Sequence, residues 1–236
     1  MSVKWGVLGT ANIAKGCTIP GMKMANNCEL YAIAGRSESK VQSYKDMFGF
    51  EKAYVGYEKL LEDPEVKAVY IPLPNNLHKE WVIKALKAGK HVLCEKPLAL
   101  NAEDAKEMFA VAKENNVLLM EAFAYLHTPY IASLKETIKS GAIGEVEFID
   151  TAFFTQYYEE DIRLYKELGG GAVYDFAEAA GADAEFTFFK MPLSVIACER
   201  KLLCRNLQGD CLRLTRSELH FREGAEPSHV RNDGSH

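Results

Sequence analysis

The chain has 236 residues, a net charge of −5 and a pI near 5.8, and this length suits one large domain or one and a half ordinary ones. A hydrophobic fraction of 48% and a charged fraction of 26% are typical of a soluble globular protein. The acidic balance, without a basic cluster among aromatic residues, argues against nucleic-acid binding, and no apolar run is long enough to span a membrane.

The N-terminus enters a strand directly, without the charged segment and cleavage site of a secretory signal, so we expect a cytoplasmic protein. The 6 cysteines are scattered and show neither a paired two-residue spacing nor a zinc-type histidine partner. We therefore expect no metal site, and buried free thiols rather than disulfides.

The first predicted strand, residues 3–8, runs directly into the segment Gly-Thr-Ala-Asn-Ile-Ala. Its spacing is that of the dinucleotide fingerprint, in which Gly9 makes the tight turn, Ala11 takes the place of the second glycine, and Ala14 allows close packing of helix on strand. A helix beginning near Asn12 would offer free N–H groups to a pyrophosphate. The predicted contacts are Gly9, Thr10, Ala11, Asn12 and Ile13. The alternative is a strand–glycine–helix turn without a ligand.

The second predicted strand, residues 28–34, ends in Gly35-Arg36-Ser37. An NAD-preferring site would place a carboxylate here for the ribose 2′-hydroxyl, whereas a guanidinium can bind a 2′-phosphate. Arg36 and Ser37 therefore favour NADP, with NAD still possible. In the alternative interpretation, Arg36 is a solvated loop residue paired with Glu38.

A rigid loop with two prolines and two asparagines, residues 72–78, follows the strand predicted at residues 66–71. Because it lies at the carboxyl end of a strand, we expect it at the cofactor. Its predicted cofactor contacts are Leu73, Pro74, Asn76 and His78. His78 could equally cap or enter the helix that follows.

An apolar strand, residues 91–94, delivers Glu95-Lys96-Pro97 to the same edge of the sheet. Ligands of open α/β sheets bind beyond the carboxyl ends of the strands, and Pro97 restricts the backbone of Lys96. Lys96 is therefore a candidate catalytic residue, and Glu95 lies beside it. The alternative is a solvated charge pair at a strand end.

Helical segments alternate with the strands along the first half of the chain. They are predicted at residues 39–48, from residue 57 to an end at Asp63-Pro64, at 79–88 and at 101–113, with a further strand at 117–120. Gly49 should end the first of these helices, and Asn101 should cap the last with a partner near Asp104. The alternation predicts an α/β fold, with a doubly wound parallel sheet covered on both faces.

Five motifs together resemble the Gfo/Idh/MocA oxidoreductase family, from residue 1 to about residue 175. They are Gly9-x-Ala11-x-x-Ala14, Gly35-Arg36-Ser37, Pro72-Leu73-Pro74-Asn75-x-Leu77-His78, Glu95-Lys96-Pro97 and Glu121-Ala122-Phe123. The resemblance implies a Rossmann domain followed by an α+β domain with an open antiparallel sheet. It also implies NAD(P)-dependent hydride transfer at a secondary alcohol or ketone of a sugar, cyclitol or diol.

The same resemblance implies roles for individual residues. Lys96 would lie beside the nicotinamide and help move the proton of the reacting oxygen, Glu95 would place the nicotinamide ribose, and the peptide bond before Pro97 would be cis. The segment 161–163 would return Arg163 to the cofactor. Asp175 would be catalytic, but its usual partner one helical turn later is Ala179, which has no proton to give.

Three regions follow: a cofactor domain at 1–121, an incomplete α+β domain at 122–225 with strands near 145–154 and 193–198, and a disordered tail at 226–236. The chain looks shortened or altered at its C-terminal end, and homo-oligomerisation would use the second sheet. We expect an oxidoreductase. The alternative is a catalytically impaired nucleotide-binding relative or fragment with a regulatory or interaction role.

Overall fold

The structure is a computed structural model that describes residues 2–145, 149–155, 161–171, 193–199 and 212–214. Side chains are described for 2–145 and 161–171. The predictions made for Asp175, Ala179 and the tail at 226–236 lie outside the described residues.

Six parallel strands form the main sheet. They are β1 (Val3–Leu8), β2 (Cys28–Gly35), β3 (Lys52–Val55), β4 (Ala68–Ile71), β5 (His91–Cys94) and β6 (Leu119–Glu121). Their order is β3-β2-β1-β4-β5-β6, and every neighbouring pair is parallel. The predicted doubly wound parallel sheet is confirmed. The edge strand β3 is absent from the sequence prediction.

The described helices of the first half surround this sheet. They are α1 (Ile19–Met24, preceded by a π turn at Ala14–Thr18), α2 (Glu38–Phe48), α3 (Tyr57–Leu61), α4 (His78–Lys87) and α5 (Ala102–Glu114). A further helix, α6 (Pro129–Lys139), follows β6 in the chain. As predicted, Gly49 ends α2 with φ +79°, and the Asn101 side chain accepts the Asp104 N–H at 2.8 Å. None of these helices is long and apolar enough to cross a membrane.

Two hydrophobic cores cover the two faces of the sheet, because successive residues of a strand point to opposite sides. Val7 packs with residues of α1 and α2, whereas its neighbour Leu8 packs with α3, α4 and α5. In β4, Tyr70 belongs to the first core and Ile71 to the second. Tyr70 therefore faces the helix that follows β1.

A second sheet contains β7 (Ile149–Thr155), β8 (Leu193–Glu199) and β9 (Leu212–Leu214). The pair β7–β8 is parallel and the pair β8–β9 is antiparallel. Two of these strands lie where the sequence predicts them, but the described part of this sheet is mixed, so the open antiparallel sheet stays a prediction. The domain boundary at residues 121–122 also stays a prediction.

Candidate active site

The sequence order of the strands reverses between β1 and β4, which are neighbours in the sheet. The loops that follow these two strands meet at the carboxyl edge of the sheet. Gly9 follows β1 with φ +124°, a backbone conformation that residues other than glycine rarely adopt. A Cβ at this position would lie 3.1 Å from Leu73 Cδ2 and 3.7 Å from the Pro72 carbonyl oxygen. The glycine therefore allows the two predicted cofactor loops to come together.

The turn after β1 is held to the sheet and leads directly into a helix. The Gly9 N–H donates to the Ala34 carbonyl at 2.8 Å, and the first helical hydrogen bond runs from the Lys15 N–H to the Ala11 carbonyl at 3.1 Å. Helical backbone begins at Asn12, as predicted, and the side chains of Asn12 and Ile13 are exposed. The N–H groups before Lys15 therefore lie outside the helical hydrogen-bond pattern, as anion binding requires.

Tyr44 of α2 supports this turn, although the sequence analysis did not select it. Its hydroxyl lies 3.1 Å from the Thr10 carbonyl oxygen and 3.3 Å from that of Ala11, and it donates to this pair. Burial raises the pKa of Tyr44, so the phenol stays protonated and remains a donor. Tyr44 lies on the buried face of α2, so in the sequence it cannot be distinguished from an ordinary core residue.

The end of β2 places Arg36 at the surface next to a tightly packed glycine. A Cβ on Gly35 would lie 2.7 Å from Val41 Cγ2, and the side chain of Arg36 is exposed. Burial raises the pKa of the Tyr57 hydroxyl, and the charge of Arg36 together with its hydrogen bond opposes this shift. The Arg36 guanidinium is thus near the Tyr57 hydroxyl of α3. Ser37 caps α2, because its hydroxyl accepts the Lys40 N–H at a long distance of 3.5 Å.

His78 joins the loops after β4 and β5. Its side chain has no exposed surface, Nδ1 lies 2.7 Å from the Pro97 carbonyl oxygen, and Nε2 lies 2.8 Å from that of Leu73. Burial lowers the pKa of His78 more than the two carbonyls and Glu95 raise it. Both ring nitrogens thus face carbonyl groups, which favours the structural alternative for His78, and its cofactor contact stays a prediction.

Lys96 lies beyond the end of β5, half-buried, and the Lys96–Pro97 peptide bond is cis as expected. The neighbouring Glu95 accepts a hydrogen bond of 2.5 Å from the Tyr70 hydroxyl. That hydroxyl in turn accepts one of 2.9 Å from the Thr18 hydroxyl. Tyr70 and Thr18 are absent from the sequence prediction, since a tyrosine in a buried strand has the pattern of a core residue.

Glu121, at the end of β6, supplies a second carboxyl group near Lys96. Its Oε1 accepts the Leu98 N–H at 2.7 Å. Burial raises the pKa of Glu121; the charge of Lys96 opposes this shift and that of Glu95 adds to it. The charges of Lys96, Glu95 and Glu121 therefore act on one another at this edge of the sheet, where a lysine can hold or pass a proton.

A segment from the second half of the chain approaches the loop after β4. The side-chain amide of Asn75 donates to the Gly169 carbonyl at 2.8 Å, and that of Asn76 donates to the Glu167 carbonyl at 3.1 Å. A Cβ on Gly169 would lie 2.8 Å from Cβ of Asn75. The amide of Asn76 is therefore directed at the protein backbone, and its predicted cofactor contact stays a prediction.

Arg163 belongs to the same segment and is half-buried. Its side chain lies 3.4 Å from Asp161 Oδ1, and its N–H donates to that same oxygen at 2.9 Å. The return of Arg163 to the cofactor, implied by the resemblance, stays a prediction.

The structure thus brings the predicted residues of the loops after β1, β4 and β5 to one edge, while Asp175 lies outside the described residues. Within the described ranges, no group of three metal-binding side chains is placed to hold a metal ion. The described cysteine side chains are free thiols, of which Cys94 is buried, Cys28 partly buried and Cys17 exposed. The expectation of buried thiols is wrong for Cys17, which lies on the outer side of the π turn.

Comparison with known proteins identifies relatives of this arrangement. The Gfo/Idh/MocA family model, described as an oxidoreductase family with an NAD-binding Rossmann fold, matches residues 3–123. A dTDP-3,4-didehydro-2,6-dideoxy-alpha-D-glucose 3-reductase of Actinomadura kijaniata is 40% identical over 193 residues, covering 78% of this chain and 58% of the relative. A trans-1,2-dihydrobenzene-1,2-diol dehydrogenase of Xenopus laevis is 35% identical, covering 74% and 53%.

A solved structure of a 3-ketoreductase from Actinomadura kijaniata, in complex with NADP and TDP-benzene, superposes with a TM-score of 0.74 at 38% identity. The match covers 78% of this chain and 57% of that structure. The chain therefore spans less than two thirds of the length of each of these three proteins.

Proposed function

The chain belongs to the Gfo/Idh/MocA oxidoreductase family, and on that basis we propose that it transfers a hydride between NADP and a secondary alcohol or ketone. The substrate class would be a sugar, cyclitol or diol, in keeping with the sugar 3-reductase and diol dehydrogenase among its relatives. The position of Lys96 carries this proposal: the lysine follows β5 at the edge of the sheet where the Gly9 and Leu73 loops meet.

The residues around this edge fit a dinucleotide phosphate. Gly9 leaves no side chain in the path of the pyrophosphate, and Asn12 and Ile13 are exposed at the start of the helix. At the far end of β2, the exposed guanidinium of Arg36 suits a 2′-phosphate and favours NADP over NAD. No carboxylate stands at the end of β2 to bind a free 2′-hydroxyl instead.

When bound, the nicotinamide would supply or accept the hydride. Lys96 would donate a hydrogen bond to the reacting oxygen and move its proton, giving it up to a ketone during reduction or receiving it from an alcohol during oxidation. Glu95, fixed by Tyr70, would hold the nicotinamide ribose. Asp175 remains a proposed second catalytic residue.

The alternative of a regulatory nucleotide-binding protein is less favoured, because the relatives compared above are all named as reductases or dehydrogenases. The substrate, the oligomeric state and the cellular compartment remain predictions.

The test combines cofactor titration with a turnover screen. Purified protein is titrated with NADPH and NADH by fluorescence, and it is assayed with sugars, cyclitols, dihydrodiols and nucleotide-linked ketosugars. Lys96→Met should lower kcat by about 10²- to 10⁴-fold while leaving the NADPH Kd nearly unchanged, since general acid–base groups typically contribute this factor.

Lys87→Met is the matched control, because Lys87 is an exposed lysine in the last turn of α4. Its turnover should equal that of the wild type. The proposal fails if the wild type binds neither cofactor, or if Lys96→Met turns over substrate as fast as Lys87→Met.

A further inference from the structure

A chain of hydroxyl groups connects the first helix with the carboxylate beside Lys96. The Thr18 hydroxyl donates to the Tyr70 oxygen at 2.9 Å, and the Tyr70 hydroxyl donates to Glu95 Oε1 at 2.5 Å. The three residues come from the π turn, from β4 and from the loop after β5. They are 52 and 25 positions apart in sequence, so no local motif contains them.

The donor and acceptor of each of these two hydrogen bonds follow from the chemistry of the three side chains. Tyr70 has no exposed surface, and burial, followed by the neighbouring Glu95, raises its pKa well above the ordinary value. The phenol therefore stays protonated and donates to the carboxylate, while its oxygen accepts from Thr18. A hydrogen bond to an ionised acceptor is about twice as strong as one between neutral groups.

The backbone of the first helix is irregular at the point where Thr18 lies. The Ile19 N–H donates to the Ala14 carbonyl, a bond one residue longer than in an α-helix, and the wider turn spans Ala14–Thr18. Pro20 follows at once and has no N–H to continue the pattern. Such single π turns often occur at functional sites. Here the turn carries the hydroxyl that contacts Tyr70.

We propose that Tyr70 is a positioning residue, which fixes the Glu95 carboxylate for the nicotinamide half of the cofactor and is itself oriented by Thr18. This inference rests on the proposed function, since it requires a nicotinamide beside Lys96. Among the described residues, Tyr70 makes no hydrogen bond to the turn after β1 or to Arg36. Its effect should therefore be confined to the nicotinamide end.

The experiment separates the two halves of the cofactor. Tyr70→Phe keeps the buried ring and removes only the hydroxyl. We expect NADPH to bind about 10-fold more weakly and kcat to fall, because one hydrogen bond to a charged group is lost. The affinity for adenosine 2′,5′-bisphosphate, which lacks the nicotinamide and its ribose, should stay within about 2-fold of the wild-type value, a change too small to count as a lost hydrogen bond.

Tyr54→Phe is the matched control, since the Tyr54 hydroxyl also donates to a carboxylate, Asp63 Oδ2, at 2.7 Å. This variant should bind both probes as the wild type does. Thr18→Val should weaken NADPH binding less than Tyr70→Phe, and Thr18→Ser, which keeps a hydroxyl, should restore wild-type binding. If Tyr70→Phe does not fold, these two Thr18 variants test the same series of hydrogen bonds.

The outcomes are distinguishable. If the wild type binds NADPH and turns over substrate but Tyr70→Phe and Thr18→Val match it, the positioning role is wrong and the proposed function stands. Equal weakening of NADPH and adenosine 2′,5′-bisphosphate would show a general structural role and would also overturn the inference. If the wild type binds NADPH no more tightly than adenosine 2′,5′-bisphosphate, the nicotinamide half adds no affinity and the proposed function itself fails.

Discussion

Asp63 lies between α3 and β4 and joins this segment to the edge strand β3, and its contribution to the free energy of unfolding should depend on pH. Its side chain is 4% exposed and accepts hydrogen bonds from Lys52 Nζ at 2.8 Å, the Tyr54 hydroxyl at 2.7 Å and the Glu65 N–H at 2.9 Å. Burial raises the pKa of Asp63, but these three donors outweigh burial and lower the pKa from 3.8 to about 2.

The magnitude follows from this pKa difference. At about 1.4 kcal/mol per pH unit, ionised Asp63 contributes about 2.5 kcal/mol to the free energy of unfolding at neutral pH. Because the folded-state pKa is lowered, the contribution is complete well above pH 3.8 and is lost as the pH falls through about 2. About half of it should remain at pH 3.

The assay is urea unfolding of wild type and Asp63→Asn at pH 7, 4 and 3. The variant should unfold at a midpoint lower by about 1 M urea at pH 7, given a slope of about 2 kcal/mol per molar, and the gap should narrow towards pH 3. Asp46→Asn, at an exposed position on α2, should stay within about 0.5 kcal/mol of the wild type. A gap that is absent at pH 7, or that is unchanged at pH 3, would refute the reasoning.

Two further predictions concern single charges at the site. Arg36→Asp should weaken NADPH binding by about 10- to 100-fold and NADH binding only slightly, because it removes the partner of the 2′-phosphate; fluorescence titration measures both, and equal losses would contradict the assignment. Glu121→Gln should raise the urea midpoint at pH 7 and leave it unchanged at pH 4. The reason is that burial raises the pKa of Glu121, so its ionised form destabilises the fold above the ordinary value of 4.5. Gln keeps an oxygen for the Leu98 N–H. A lower midpoint at pH 7 would instead show that attraction to Lys96 dominates.

The main sheet could be predicted from the sequence because its buried strands are apolar runs between helical segments. The edge strand β3 could not, since its four residues, Lys-Ala-Tyr-Val, begin with a charge and are only partly buried. At the carboxyl edge, the positions of Gly9 and Lys96 could be predicted, because a motif beside a strand end fixes where its backbone lies. For His78 both interpretations remained open, since only the fold shows which carbonyl groups surround its ring.

The second half was harder to predict for a different reason. Its two longer strands show an apolar or alternating pattern, and both occur where expected, as β7 and β8. Strand direction, however, depends on the connections between strands, and for this second sheet the expected direction rests on the family resemblance alone. The sequence therefore located the strands but did not indicate that β7 and β8 are parallel.

Three polar side chains to which the sequence analysis gave no role have one property in common, because each joins two segments that are remote in the chain. Tyr44 fixes the turn after β1 from α2, Tyr70 fixes Glu95 from β4, and Glu121 fixes the loop after Pro97 from β6. The proposed hydride transfer would require donor and acceptor to be held within a few tenths of an ångström, which loops alone do not provide. Side chains from neighbouring strands and from α2 supply this rigidity, and such support depends on which elements the fold places side by side. A motif can therefore predict which residues act on a substrate, whereas the residues that hold them in place become visible only once the sheet has formed.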